Sequence, residues 1–169
     1  MKSVLLILIL VNGMAEAQRT AKCVDASFDH EVDRYLNFTV PVIDVDSLQK
    51  NMDRFVILDA REYEEYQQSH IPSAHYVGYD DFSKEALSGI PKSQAVVVYC
   101  SIGYRSEKLG EKLRKMGYTN VLNLYGSIFE WANRGYPLMN KAGQTTDTIH
   151  AYSRRWSKWV TAPEIVKIW

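Results

Sequence analysis

Ala95-Val96-Val97-Val98-Tyr99-Cys100-Ser101-Ile102-Gly103-Tyr104-Arg105-Ser106 is the stretch on which the reading of this chain turns. Its opening residues are apolar, three of them β-branched valines, with none of the polar alternation of a strand wetted on one side. Such a run fits the middle of a parallel sheet covered on both faces. From Ser106 to Met116 the period changes. Leu109, Leu113 and Met116 fall at i, i+4 and i+7, and Glu111 faces Lys115 at i,i+4. That pattern predicts an amphipathic helix, with Gly117 placed to end it.

The same alternation of types extends outward. Phe55 to Leu58, ending in Asp59, reads as a second buried strand, and Arg61 to Ser69 as a helix with Tyr63 and Tyr66 on one face. Ile71-Pro72 stops that helix. Ala74 to Val77 predicts another strand and Asp80 to Leu87 another helix. Upstream, Val40 to Ile43 reads as a strand whose Pro41 suits an edge. A short helix is expected at His30 to Leu36, and another capped by Asp46 or Ser47 and running through Leu48. Downstream, Val121 to Leu124 is a strand and Ile128 to Asn133 a helix ending near Gly135. Tyr152, Trp156 and Trp159, at i, i+4 and i+7, predict one packed helical face. Strands alternating with helices give an α/β fold with a mostly parallel central sheet flanked by helices, in three layers.

The 169 residues suit one domain, and 46% hydrophobic against 24% charged residues is an ordinary globular balance. Twenty basic residues offset 20 acidic ones, so no electrostatic case exists for nucleic acid as a partner. Residues 1–17 read as an export signal. Lys2 precedes the apolar run Val4 to Val11, Asn12-Gly13 breaks it, and Ala15-Glu16-Ala17 resembles a cleavage site. Eight apolar residues are far short of the ~20 that span a bilayer, so no stable membrane anchor is expected. The mature protein is expected in the periplasm if bacterial, otherwise secreted. Residues 18–39 form a polar lead. Residues 139–169 form an extension packed on the domain, where three of the four tryptophans lie and where a protein partner could dock.

Ligands of open α/β sheets gather at the carboxyl ends of the strands. One such end holds Asp59-Ala60-Arg61 and another holds Cys100. A thiol between a buried strand and a helix start meets unpaired backbone N–H groups, which favour its thiolate. Gly103 lets the loop turn tightly, and Arg105 supplies a fixed charge with a bidentate fork. The product is an anion cradle around one sulfur. Two plainer readings stand beside it: an inert buried thiol, and a disulfide between Cys23 and Cys100, the only cysteines. His30, His70, His75 and His150 lack ligand spacing with either cysteine, so no metal is expected, and no organic cofactor is needed.

Taken together these segments resemble the rhodanese-like domain family over residues 40–138. Leu58-Asp59-Ala60-Arg61-Glu62-Tyr63-Glu64-Glu65-Tyr66 with His70-Ile71-Pro72-Ser73-Ala74 is similar to its N-terminal signature, and Val96 to Ser106 to its active loop. Gly117-Tyr118, Val121 to Gly126, Trp131 and Gly135-Tyr136-Pro137 are similar to its closing strand and helix. The resemblance implies a sulfurtransferase in which Cys100 carries sulfur as a persulfide. Ser101, Ile102, Gly103, Tyr104 and Arg105 would cradle the bound anion, with Asp59 and Arg61 in support. His70 is expected to brace a turn. The implied partners are a small anionic sulfur donor such as thiosulfate and a thiophilic acceptor. Gly126-Ser127 departs from the Gly-Gly of many members. A non-catalytic or redox-sensing module is the alternative. A phosphatase of the same fold is a further one, although such enzymes use Cys-x5-Arg, and here only four residues separate Cys100 from Arg105.

Overall fold

The valine run alternates between two cores. Val97 and Tyr99 enter one apolar cluster, and Val96 and Val98 enter another on the opposite face. That is the period of a strand covered on both sides. In the computed structural model, which describes residues 21–169, this strand is β4, Ala95–Tyr99. The expected export signal lies outside the described residues.

The other elements fall into place around it. In chain order they are α1 (Ala26–Tyr35), β1 (Val42–Ile43), α2 (Val45–Lys50), β2 (Val56–Asp59), α3 (Tyr63–Gln68) and β3 (His75–Tyr76). After β4 come α4 (Tyr104–Lys115), β5 (Asn120–Leu124) and α5 (Ser127–Asn133). Among the described residues one sheet has the order β1-β5-β4-β2-β3. All its pairings are parallel. Leu109 and Leu113 of α4 join the cluster on one face, whereas Phe28 of α1, Leu48 of α2 and Phe129 of α5 join the other. The result is the expected three-layer α/β fold, with β1 and its preceding Pro41 at an edge.

Several boundaries differ from the sequence reading. The first helix begins at Ala26, because Asp25 accepts a hydrogen bond from the Phe28 amide at 2.8 Å and caps it there. Asp44, rather than Asp46 or Ser47, caps α2 through the Ser47 amide at 2.8 Å. The helix expected over Asp80 to Leu87 shrinks to a 3-10 turn, Glu85–Leu87. Only Leu87 of that turn is buried, so an apolar face to hold a longer helix is missing. Gly117, at φ 94°, follows α4, and the Tyr118 amide reaches back to the Leu113 carbonyl at 3.1 Å, a closure that needs a left-handed residue.

Beyond the sheet the chain forms an antiparallel pair, β6 (Leu138–Met139) with β7 (Thr145–Thr146). A parallel pair follows, β8 (Thr148–His150) with β9 (Val166–Ile168). The helical face expected from Tyr152, Trp156 and Trp159 does not form; a 3-10 turn, Ser157–Trp159, stands instead. Tyr152 sits at φ 63°, outside helical space, and is exposed, whereas Trp156 packs against Tyr35 and Trp159 stacks on Phe28. Spacing suggested one face, but the tertiary contacts are made residue by residue. The extension is nonetheless anchored, since Ile149, Ala151 and Val160 are fully buried. No helix among the described residues is long and apolar enough to cross a membrane.

Phe28 joins α1, α5 and the extension, with ring centroids 6.4 Å from Phe129 and 5.7 Å from Trp159. Phe28→Ala should therefore cost about 3–5 kcal/mol. Urea denaturation followed by tryptophan fluorescence checks this.

Candidate active site

Because the sheet is parallel, the carboxyl ends of β2, β4 and β5 share one edge. Cys100 follows β4 directly, and its surroundings can be built from backbone outward. Its amide donates to Ser127 Oγ at 3.1 Å, and that hydroxyl in turn donates to the Leu124 carbonyl at 3.0 Å. The carbonyls of Cys100 and Ser101 each accept, at 3.2 Å, from the Ile128 and Phe129 amides at the start of α5. With those carbonyls held on that side, the Gly103 amide faces the sulfur.

Gly103 N–H donates to Cys100 Sγ at 3.2 Å, and Ser106 Oγ lies 3.6 Å from it. Gly103 adopts φ 122°, and a β-carbon there would press to 3.2 Å from Leu36. The Gly103 carbonyl is pulled away from the sulfur by Asn123 Nδ2 at 3.0 Å. Asn123 Oδ1 also accepts from the Ser106 hydroxyl at 2.7 Å. Ser106 thus has one proton and three takers, the sulfur, the Asn123 amide oxygen and the Gly103 carbonyl at 3.1 Å, and a charged sulfur competes better than a neutral one.

Burial pushes the Cys100 thiol up, but Arg105, the Ser106 hydroxyl and amide, and the Gly103 amide together hold it below the ordinary thiol value. The side chain is almost wholly covered, yet it lies at the floor of a cavity of about 440 Å³. Both cysteines are free, so the alternative Cys23–Cys100 disulfide is not formed. Cys23 sits apart against Gly126 and Glu130. Burial and the nearby Glu130 carboxylate push its thiol far up, the opposite of Cys100.

Arg105 differs from its expected use. Its Nη1 and Nη2 bind both oxygens of Glu65 at 2.8 and 2.9 Å, and Nη2 also reaches Ser101 Oγ at 3.0 Å. The fork expected to grip an incoming anion is already occupied. Burial pushes the Glu65 carboxyl up, but Arg105 and Arg61 outweigh this and keep it below the usual carboxylate range. Arg105 therefore acts on the sulfur through space and ties the loop to α3.

Asp59 and Arg61 form a fully buried pair at 2.6 Å. The register sets Asp59 beside Tyr99, whose hydroxyl donates to the Asp59 carboxylate and accepts from the Ile71 amide. Arg61 Nη2 also donates to the Ser69 carbonyl. This network braces the ground beneath the loop and does not touch Cys100. His70 stacks on Tyr66 at 4.2 Å and pairs by backbone with Met139, which is a brace at the start of the extension.

Sequence reasoning left out Glu65, Asn123 and the anchoring role of Ser127. It also missed the aromatic wall that Tyr35, Tyr79, Tyr152 and Trp156 make around the cavity beside the expected Tyr104. Ser127 was signalled only as a departure from Gly-Gly. No local pattern marked Glu65, whose partner lies 40 residues away.

Fold and loop define an α/β protein with a single sulfur set in a nest of amides. The chain belongs to the rhodanese-like domain family, whose model matches residues 44–134. It is 35% identical over 104 residues to a sulfurtransferase of Allochromatium vinosum, covering 60% of this chain and 96% of that one. It is 30% identical over 118 residues to an adenylyltransferase and sulfurtransferase of Candida albicans; the match takes in 66% of this chain but spans only 26% of that protein's length. The crystal structure of a thiosulfate sulfurtransferase from Pseudomonas aeruginosa superposes with a TM-score of 0.54 at 27% identity, covering 77% of this chain and 24% of that one.

Two outcomes are expected. Arg61→Met strands a buried Asp59 charge and should cost about 3–5 kcal/mol, whereas replacing both partners by apolar residues costs far less; chemical denaturation of the three proteins decides it. The rate of Cys100 alkylation by iodoacetamide should rise through an inflection below that of an ordinary free thiol. Because Arg105 lowers the value, Arg105→Gln should move that inflection to higher pH, with labelled Cys100 followed by mass spectrometry.

Proposed function

We propose that this protein is a sulfurtransferase in which Cys100 carries the sulfur. The observation that carries the reading is the sulfur's position. It lies at the floor of an open cavity, beside the Gly103 amide and the Ser106 hydroxyl, and is biased toward thiolate. A thiolate there attacks the outer sulfur of a donor such as thiosulfate. The sulfur–sulfur bond of the donor breaks, its electron pair leaves with sulfite, and Cys100 becomes a persulfide anion. The charge moves one atom outward into the cavity, where unpaired loop amides can follow it. A thiophilic acceptor then takes the outer sulfur, and the pair of the broken bond returns to Cys100 Sγ.

The names of the relatives support this reading, and the thiosulfate donor is suggested by the Pseudomonas aeruginosa structure. Two features disfavour a phosphatase: the loop has four residues between Cys100 and Arg105, and Arg105 is occupied by Glu65. No metal or organic cofactor takes part in the proposed reaction. Residues 1–17, read as an export signal, would deliver the protein to the periplasm of a bacterium or to the outside of another cell.

Treating the purified protein with thiosulfate should add the mass of one sulfur atom to Cys100, and cyanide should remove it as thiocyanate. Cys100→Ser should fold and show neither event. Substantial turnover by that variant, or aryl-phosphate hydrolysis in place of thiocyanate formation, would overturn the proposal.

A further inference from the structure

A sulfur atom needs little room, yet the cavity above Cys100 measures about 440 Å³. Volumes of roughly 300–1,000 Å³ are those of sites that house whole organic molecules. The wall is drawn from separate parts of the chain. Tyr35 comes from α1, Tyr79 from the segment after β3, Tyr104 from α4, and Tyr152 and Trp156 from the extension. Tyr35 sets its ring edge-on to both neighbours, 6.3 Å from Tyr104 and 5.2 Å from Trp156. Tyr152 holds its place at φ 63°, a left-handed backbone that a bulky residue seldom adopts, with the Arg105 guanidinium 5.1 Å from its ring. Backbone strain of this kind, kept by a residue that lines a cavity, points to use.

The charges of the lining point the same way. Glu62 and Asp80 lie on it, and among the described residues no lysine does. The one cation among the described lining residues, Arg105, is bound on both terminal nitrogens by Glu65. Glu62 is partly open and only 3.6 Å from Arg105, while Asp80 is exposed and free of any salt bridge among the described residues. Aromatic faces and carboxylates both attract cations.

We propose that the sulfur acceptor is an organic thiol whose body carries a positive charge, held among these rings with Glu62 and Asp80 as counter-ions; this rests on the sulfurtransferase reading. The acceptor loses its thiol proton to solvent and attacks the outer sulfur of the Cys100 persulfide as a thiolate. The bond between that sulfur and Sγ breaks, and its pair returns to Cys100. The acceptor leaves as a persulfide anion. One thiolate and one persulfide stand on each side, so no oxidant or reductant is consumed.

The test loads the protein with thiosulfate and measures kcat/KM for discharge to cyanide, to cysteamine and to 3-mercaptopropionate. The last two are similar in size and opposite in charge. The same series is run on the Glu62→Gln, Asp80→Asn double variant. The intrinsic reactivity of each thiol is identical in both proteins, so the change in the cysteamine to 3-mercaptopropionate ratio reports the cavity alone. Removing two facing carboxylates should lower that ratio about tenfold. The Glu62→Gln change keeps a side-chain oxygen to cap α3; should the double variant fail to fold, Asp80→Asn alone should lower the ratio about threefold. An unchanged ratio with cyanide discharge intact overturns this inference only, as does discharge to cyanide and to neither thiol. Failure to discharge to cyanide at all removes the sulfurtransferase reading, and this inference with it.

Discussion

The first amides of α5 take the carbonyls of Cys100 and Ser101, and most of the site follows from that pair of bonds. A short loop can face a sulfur with either its carbonyls or its amides. Only the second choice stabilises negative charge. Here the choice is made from outside the loop, by the start of the next helix, with Ser127 fixing the Cys100 amide and Asn123 drawing back the Gly103 carbonyl. Burial opposes ionisation of Cys100, and this arrangement together with Arg105 outweighs it.

Rigidity beneath the loop has a separate source. Asp59, Arg61 and Tyr99 are all fully buried, and their mutual bonds join β2, β4 and the segment leading to Ile71. A buried ion pair contributes little net stability relative to apolar packing. Its value lies in direction, because only one arrangement satisfies the carboxylate. Glu65 does the same work one layer up, linking α3 to Arg105 and Ser101.

The valine run and the helix after it were legible because an unbroken apolar run and a helical apolar spacing each declare burial locally; the register of β4 against β2 and β5 was not, since pairing depends on distant strands. Cys100 stood out because Gly103 and Arg105 follow it; a cysteine at a strand end is by itself as readily an inert buried thiol. What escaped detection is what depends on distant partners. Glu65 looked like one acid among several in a charged helix, and Arg105 looked unpaired. Tyr152, Trp156 and Trp159 carried helical spacing, but the left-handed backbone at Tyr152 and the separate seats of the two tryptophans override it. The acidic segment Asp80 to Leu87 had helix-forming residues without an apolar stripe to hold them down.

The cavity wall comes largely from segments outside the strand-loop-helix unit that holds the cysteine. Tyr35 precedes the sheet, and Tyr152 and Trp156 follow it beyond the exposed turn at residues 141–144. On the proposed reading, reactivity and choice of guest are therefore written in different parts of the gene. Mutation would then retailor the chamber for a new metabolite while Cys100 and its loop are inherited unchanged, which is how one scaffold can come to serve many routes.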